Sequence, residues 1–309
     1  MNANVTLATG ILYVYSNYIR RPTVERIRFM NAFPRTQIEN LSVSRMIIGT
    51  NWFFGWSHTS AAKDKYIKST MTRDKIADVL EVFLAAGVDT IMGKISHPGQ
   101  KEAIDEAQQR TGKKMIIVST PGLEPGDTPE AFAESQRIIE LDAKLGASVC
   151  MPHQCTTDAL VDSRARRIHN MDRYCRMIRD CGMIPGLSTH MPESIVYADE
   201  TNLDVGTYIS IYNAAGFLMH VEADWVQRLI SNAKHPVITI KPMAAGRLLP
   251  LVGMSFVWST IREQDMVTVG TMTPDEAKEI IEISLSLLQK RQVTFELQKT
   301  RSKQTVISK

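Results

Sequence analysis

The sequence predicts an α/β fold, a (β/α)8 TIM barrel with an N-terminal extension. Eight short β-rich runs alternate with amphipathic stretches over about 250 residues, the size and rhythm of such a barrel. Most runs are continuously apolar rather than alternating, as in strands of a parallel sheet covered on both faces. The first run leads into Asn51-Trp52-Phe53-Phe54-Gly55-Trp56, not into the G-x-G-x-x-G turn of a doubly wound sheet.

Residues 1–43 precede the first strand and are expected to pack as an extra helix or a cover over the barrel bottom. The expected strands are Arg45–Thr50, Val88–Gly93, Lys114–Thr120, Ser148–Pro152, Met183–Ser188, Thr207–Tyr212, Val237–Ile240 and Met266–Val269. Between the first two, Ile76, Leu80, Phe83 and Leu84 make a one-sided apolar stripe. That helix ends near Gly87, where a left-handed cap favours glycine. Thr128-Pro129-Glu130 opens a later helix with an N-cap and a first-turn proline. Thr273-Pro274-Asp275-Glu276 adds a capping-box glutamate to the same pattern. Gly112, Gly146 and Gly182 mark three more turns into strands. The barrel is assigned to residues 44–290, and residues 291–309 form a basic, solvated tail. No Pro-, Gly- or Ser-rich linker divides the chain.

Bulk properties exclude several classes. A net charge of +3, with basic residues scattered along helices, gives no footprint for nucleic acid. No apolar run approaches the ~18–20 residues that span a bilayer. The apolar stretch Val5–Tyr15 lacks the basic start and small-residue cleavage site of a signal peptide. Cys150, Cys155, Cys175 and Cys181 form no C-x-x-C pair and read as reduced thiols. These features together predict a cytoplasmic protein whose partner is a small molecule, with homo-oligomerisation open.

Chemistry in such a barrel sits at the C-terminal ends of the strands. His58, His97, His153, His190 and His220 fall at or just beyond predicted strand ends. Histidine suits proton transfer and metal ligation near neutral pH. His97, His153 and His190, from the second, fourth and fifth strands, can supply the three protein ligands of an open catalytic metal site. Zinc or manganese is the expected ion, with Glu222 or Asp158 completing the shell or acting as base. The alternative is that each ring bonds a separate backbone carbonyl. Lys241 ends an apolar strand, and Lys94 follows another. Each can serve as base or Schiff-base nucleophile, or pair with an anion. Arg247 can grip a carboxylate or phosphate in bidentate fashion. Gly270, Thr271 and Thr273 lead into a capped helix whose N-terminus favours an anion. Cys155 is either a ligand or nucleophile, or a small loop side chain. Trp52, Phe53, Phe54 and Trp56 either wall a cleft or interface, or pack beneath a loop.

The stretch from about Arg45 to Leu288 resembles the aldo-keto reductase superfamily. Ser148-Val149-Cys150-Met151-Pro152-His153 is similar to the family's fourth strand, which ends in an active-site histidine. Gly186-Leu187-Ser188-Thr189-His190 resembles its fifth-strand segment, and Asn213 its sixth-strand asparagine. Lys241-Pro242-Met243-Ala244-Ala245-Gly246 is similar to its seventh-strand turn. Val269-Gly270-Thr271 with Thr273-Pro274-Asp275-Glu276 resembles the loop that holds the cofactor phosphate. The resemblance implies carbonyl reduction with NADPH by an Asp, Tyr, Lys and His set. Only His153 of that set is present: Met92 stands for the aspartate, His97 for the tyrosine, and Thr120-Pro121 for the end that carries the lysine.

The expected function is therefore an aldo-keto-reductase-like barrel enzyme with changed chemistry. His153, His97 and Lys241 would be catalytic, in metal- or acid/base-assisted lyase, isomerase or hydrolase action. Asn213, Arg247, Ser188, Lys94 and Glu222 would hold a small oxygen-rich sugar or keto acid. The alternatives are a divergent NADP-dependent oxidoreductase, with Gly270, Thr271 and Thr273 at the cofactor, and a non-catalytic barrel used for interaction.

Overall fold

The computed structural model describes residues 32–294 and Lys303. The first 31 residues of the expected extension, and all of the expected basic tail except residues 291–294 and Lys303, lie outside the described residues.

The described chain opens with a hairpin, β1 (Arg35–Ile38) and β2 (Leu41–Ser44), which takes the second of the two expected forms, a cover over the barrel bottom, and not the extra helix. Its two-residue turn puts Glu39 at φ 51°, the left-handed conformation of a tight hairpin. Ile38 and Val43 are fully buried. They pack against Ile47, Val149, Ile184 and Met266 and close the barrel bottom. Arg179 pins the turn from outside, donating to Glu39 Oε2 at 2.9 Å and to Asp204 Oδ1 at 2.7 Å.

Strand β3 (Met46–Gly49) starts the barrel and runs into a single turn, α1 (Asn51–Phe54). Helix α2 (Ala61–Thr70) follows, then α3 (Arg73–Ala85), whose N-cap Thr72 accepts from the Lys75 N–H. The predicted stripe on α3 is buried, and Gly87 takes φ 80° just beyond the helix. The repeat continues with β4 (Thr90–Gly93), α4 (Gln100–Thr111), β5 (Ile116–Ser119), α5 (Pro129–Lys144) and β6 (Ala147–Cys150). A short turn, α6 (Gln154–Thr157), and a small hairpin, β7 (Val161–Asp162) with β8 (Arg167–Ile168), precede α7 (Met171–Asp180). The remaining units are β9 (Ile184–Ser188) with α8 (Glu193–Glu200), β10 (Thr207–Ile211) with α9 (Ala223–Asn232), β11 (Val237–Ile240) with α10 (Pro250–Thr260), and β12 (Met266–Val269) with α11 (Pro274–Leu288).

Eight parallel strands close a barrel in the order β3-β4-β5-β6-β9-β10-β11-β12, with β12 pairing back to β3. This is the predicted (β/α)8 architecture. Inside the barrel, Ile47, Met92, Val118, Val149, Ile209 and Ile238 form one apolar core. Outside it, a second layer joins the opposite strand faces to the buried helix stripes. Strands apolar on both faces follow directly from this two-sided burial. Among the described residues no helix is long and apolar enough to cross a membrane.

Candidate active site

The C-terminal strand ends surround a cavity of about 790 Å³, within the ~300–1,000 Å³ range of small-molecule and cofactor sites. Its floor is apolar, made by Met92, Ile209 and Ile240. Around the floor stand Lys94, His153, Ser188, His190 and Lys241. An outer arm extends past Thr268 and Gly270 to Thr271, Glu276 and Glu279 at the start of α11.

Lys241 follows the last residue of β11 and carries φ 61°. Ala244 and Ala245, in the same turn, take φ 49° and 55°. A left-handed residue with a β-carbon costs roughly 1–2 kcal/mol, and such costs concentrate at functional sites. Burial draws the Lys241 ammonium down to a pKa of about 8. No carboxylate forms an ion pair with it among the described residues.

The neighbouring rings are held neutral. Burial, then Lys241, His153, His220 and His58, push His190 down to about 3. Its backbone N–H donates to Asp158 Oδ2 at 3.1 Å, and the Thr189 hydroxyl donates to Asp158 Oδ1 at 2.5 Å. Asp158 thus fixes the end of β9 from behind. Burial raises its pKa, against the lowering effect of those hydrogen bonds. His153 caps α6: its Nδ1 accepts the Cys155 N–H at 3.4 Å and lies 3.1 Å from Cys155 Sγ. An accepting Nδ1 leaves the proton of the neutral ring on Nε2. Burial is the main cause of the lowered His153 pKa, followed by Lys241. His58, at the rim, lines the cavity as well, and its pKa is lowered first by burial and then by Lys241.

The expected three-histidine metal site does not form. His97 lies outside the cavity lining, its ring 4.1 Å from Phe54 and 5.1 Å from Trp56 between centroids. Its Nδ1 is 2.9 Å from the Pro98 carbonyl. The loop after β4 folds this ring into the aromatic run instead of turning it toward His153 and His190. Among the described residues no group of three or more His, Cys, Asp or Glu side chains is arranged to hold a metal.

Four other expected ligand-binding residues also point elsewhere. The Asn213 amide is consumed locally, donating to the Phe217 carbonyl at 3.0 Å and accepting the Phe217 N–H at 2.9 Å. Arg247 stacks 4.0 Å from the Phe217 ring centroid and donates to the Ala244 carbonyl at 3.1 Å. Glu222 is exposed at the N-cap position of α9. Thr273 spends its hydroxyl capping α11. Lys94, Ser188, Gly270 and Thr271 do line the cavity, with His153, His190 and Lys241. The aromatic run divides: Trp52 and Trp56 line the cavity, while Phe53 and Phe54 are buried beneath.

Three cavity threonines have unmatched hydroxyls, and two of them, Thr50 and Thr268, carry no motif signal. Thr50, Thr268 and Thr271 are buried, and their hydroxyls have no hydrogen-bond partner. An unmatched buried hydroxyl costs ~1–3 kcal/mol, and all three oxygens are covered by protein at the cavity wall. Thr271 was a candidate from its loop; Thr50 and Thr268 were legible only as polar residues at the ends of apolar strands.

No protein-family model matches the sequence, and no curated protein matches it. Solved structures do match its fold. A Pseudomonas aeruginosa protein described as an aldo-keto reductase superposes with a TM-score of 0.60 at 18% identity, over 86% of this chain and 99% of that one. A glycerol dehydrogenase from Gluconobacter oxydans gives 0.54 at 12%, over 86% and 99%. An aldo-keto reductase of the silkworm, solved with NADPH, gives 0.54 at 11%, over 87% and 90%. The chain shares the aldo-keto reductase fold.

Proposed function

We propose that this aldo-keto-reductase-like barrel is an oxidoreductase that uses a nicotinamide dinucleotide to interconvert a small, carboxylate-bearing carbonyl compound and its alcohol. The observation that carries the reading is one continuous cavity from the basic strand ends to the β12–α11 corner. The floor has room for a small substrate, and the outer arm for a cofactor. The shared fold supports it, since reductases and a dehydrogenase are its structural neighbours. The lyase, isomerase or hydrolase reading called on His97, His153 and His190 as a metal or acid–base centre; the position of His97 breaks up that trio, and the structural neighbours, which are oxidoreductases, give the reading no support.

The cofactor fits the arm in part. Thr50, Thr268 and Thr271 line the arm, although their hydroxyl oxygens are covered by protein. Among the described residues, Glu276 and Glu279 line the arm's end, and Lys278 in the same turn pairs with Asp275 at 3.0 Å.

A reduced nicotinamide, when bound, supplies a hydride; the chain must supply a proton to the carbonyl oxygen. Lys241 is the donor in this reading. With a pKa of about 8 it is largely protonated at neutral pH yet able to give the proton up. It does from β11 what the missing tyrosine of the loop after β4 would have done. The Nε2–H of neutral His153 polarises the same oxygen. Lys94 holds the substrate carboxylate at the opposite wall. Reduction needs the ammonium form, so its rate falls as pH rises through about 8; oxidation needs the free amine and rises over the same range.

The test is turnover of a panel of 2-keto acids with reduced dinucleotide, for the native chain and Lys241→Met. The expected result is turnover by the native chain and a kcat loss on the order of 100-fold or more in the variant, with the limb near pH 8 abolished. No turnover of any panel member together with no dinucleotide binding, or a variant within about twofold of the native rate, overturns the reading.

A further inference from the structure

Lys241 stands in the cavity as an uncommitted amine. Its Nζ makes no hydrogen bond or ion pair among the described residues, and protein does not seal it from the cavity. The residue before a proline is normally extended. Lys241, just before Pro242, instead turns at φ 61° at the end of β11 and lines the cavity. The floor of Met92, Ile209 and Ile240 is apolar. An unpaired ammonium in such surroundings sheds its proton more easily than one in water, and the free amine attacks carbonyl carbon. Burial alone draws this amine down to a pKa of about 8, with no carboxylate contributing. A cation formed on this nitrogen therefore needs a counter-charge carried by its ligand. Lys94, the other lysine lining the cavity, also has no ion pair among the described residues and attracts the same kind of ligand.

We propose that Lys241 is a Schiff-base site that condenses with 2-keto acids without any dinucleotide. The ligand class comes from the reading above; the condensation does not need its cofactor. The ammonium first gives up a proton, and the freed nitrogen attacks the keto carbon. An N–C bond forms and the carbonyl π bond breaks, giving a carbinolamine. The released proton passes to the former carbonyl oxygen, the C–O bond breaks, and water leaves. The product is a protonated imine carrying the same single charge as the ammonium it replaced. The keto acid's carboxylate, on the same carbon, lies beside that charge and compensates it. Condensation uses the free-amine form of Lys241, whereas carbonyl reduction uses its ammonium form.

Reductive trapping of the full chain in the absence of dinucleotide tests this. Sodium cyanoborohydride converts an imine into a stable secondary amine. Pyruvate with this reagent is expected to add the mass of pyruvic acid less one oxygen. Peptide mapping of the native chain is expected to place the label on Lys241, at a rate at least ~10-fold above that of any exposed lysine. Methyl pyruvate keeps the activated carbonyl and lacks the charge, so it is expected to label Lys241 more slowly than pyruvate does. A folded Lys241→Arg variant is expected to lose the fast label. No label, a label spread evenly over exposed lysines, or methyl pyruvate reacting at Lys241 as fast as pyruvate overturns the inference. Keto-acid turnover with dinucleotide alongside that failure leaves the oxidoreductase reading standing. Trapping at Lys241 by a chain that binds no dinucleotide supports the inference and overturns that reading.

Discussion

At the scale of single residues, burial sets the charge at the cavity floor. Lys241 and His190 are both drawn down because the strand ends hold them out of water, and no carboxylate lines that end of the cavity to compensate them. This has a consequence for stability. The His190 ring has a folded pKa of about 3 against an ordinary 6.5. Between those values the unfolded chain binds a proton that the folded chain refuses. Stability from this group is complete above pH 6.5 and is lost progressively as pH falls toward 3. His190→Asn is therefore expected to flatten the decline of Tm between pH 6.5 and 4, measured by calorimetry across that range. A variant whose Tm falls as steeply as the native chain would show that the ring is not held neutral.

At the scale of elements, the β1–β2 hairpin is the cover over the barrel bottom. Its alternation of Ile38 and Val43 with polar neighbours around a two-residue turn is a hairpin pattern. Ile38 is fully buried against the barrel interior. Ile38→Ala is expected to cost ~2–5 kcal/mol in urea unfolding, with dinucleotide affinity unchanged, because the cavity opens at the opposite end. A cost below about 1 kcal/mol would mean that the hairpin is not an integral plug. Strands β3 and β4 show the reverse coupling, from packing to site. A β-carbon on Gly93 would lie 1.9 Å from Thr50 Oγ1, so Gly93 is what leaves room for the Thr50 side chain between β3 and β4 at the cavity wall.

At the scale of the whole molecule, the described residues form one closed barrel with two apolar layers, inside and outside the sheet, and the cavity lies at its C-terminal strand ends. A ligand that fills the cavity binds only the folded chain. At 100 times its Kd it should stabilise the fold by ~2.7 kcal/mol. For a barrel of this length that corresponds to a Tm increase of roughly 4–5 °C. Thermal unfolding with and without NADH checks this; an unchanged Tm at saturating NADH would count against binding in the cavity.

The sequence by itself determined the barrel. Continuous apolar runs dictate strands buried on both faces, and one-sided helix stripes with Thr-Pro caps dictate the outer layer. Local signals sufficed because each unit repeats the same physical problem. The sequence also placed His153, His190 and Lys241 at strand ends, since strand ends follow from strands. Only the tertiary structure decided which of those side chains share a space. The loop after β4 tucks His97 between Phe54 and Trp56, Asn213 turns back on its own loop, and Glu276 fills the N-terminus of α11. Each outcome depends on the direction of a side chain leaving a loop. That direction is fixed by contacts between segments far apart in the chain, which periodicity and spacing do not record.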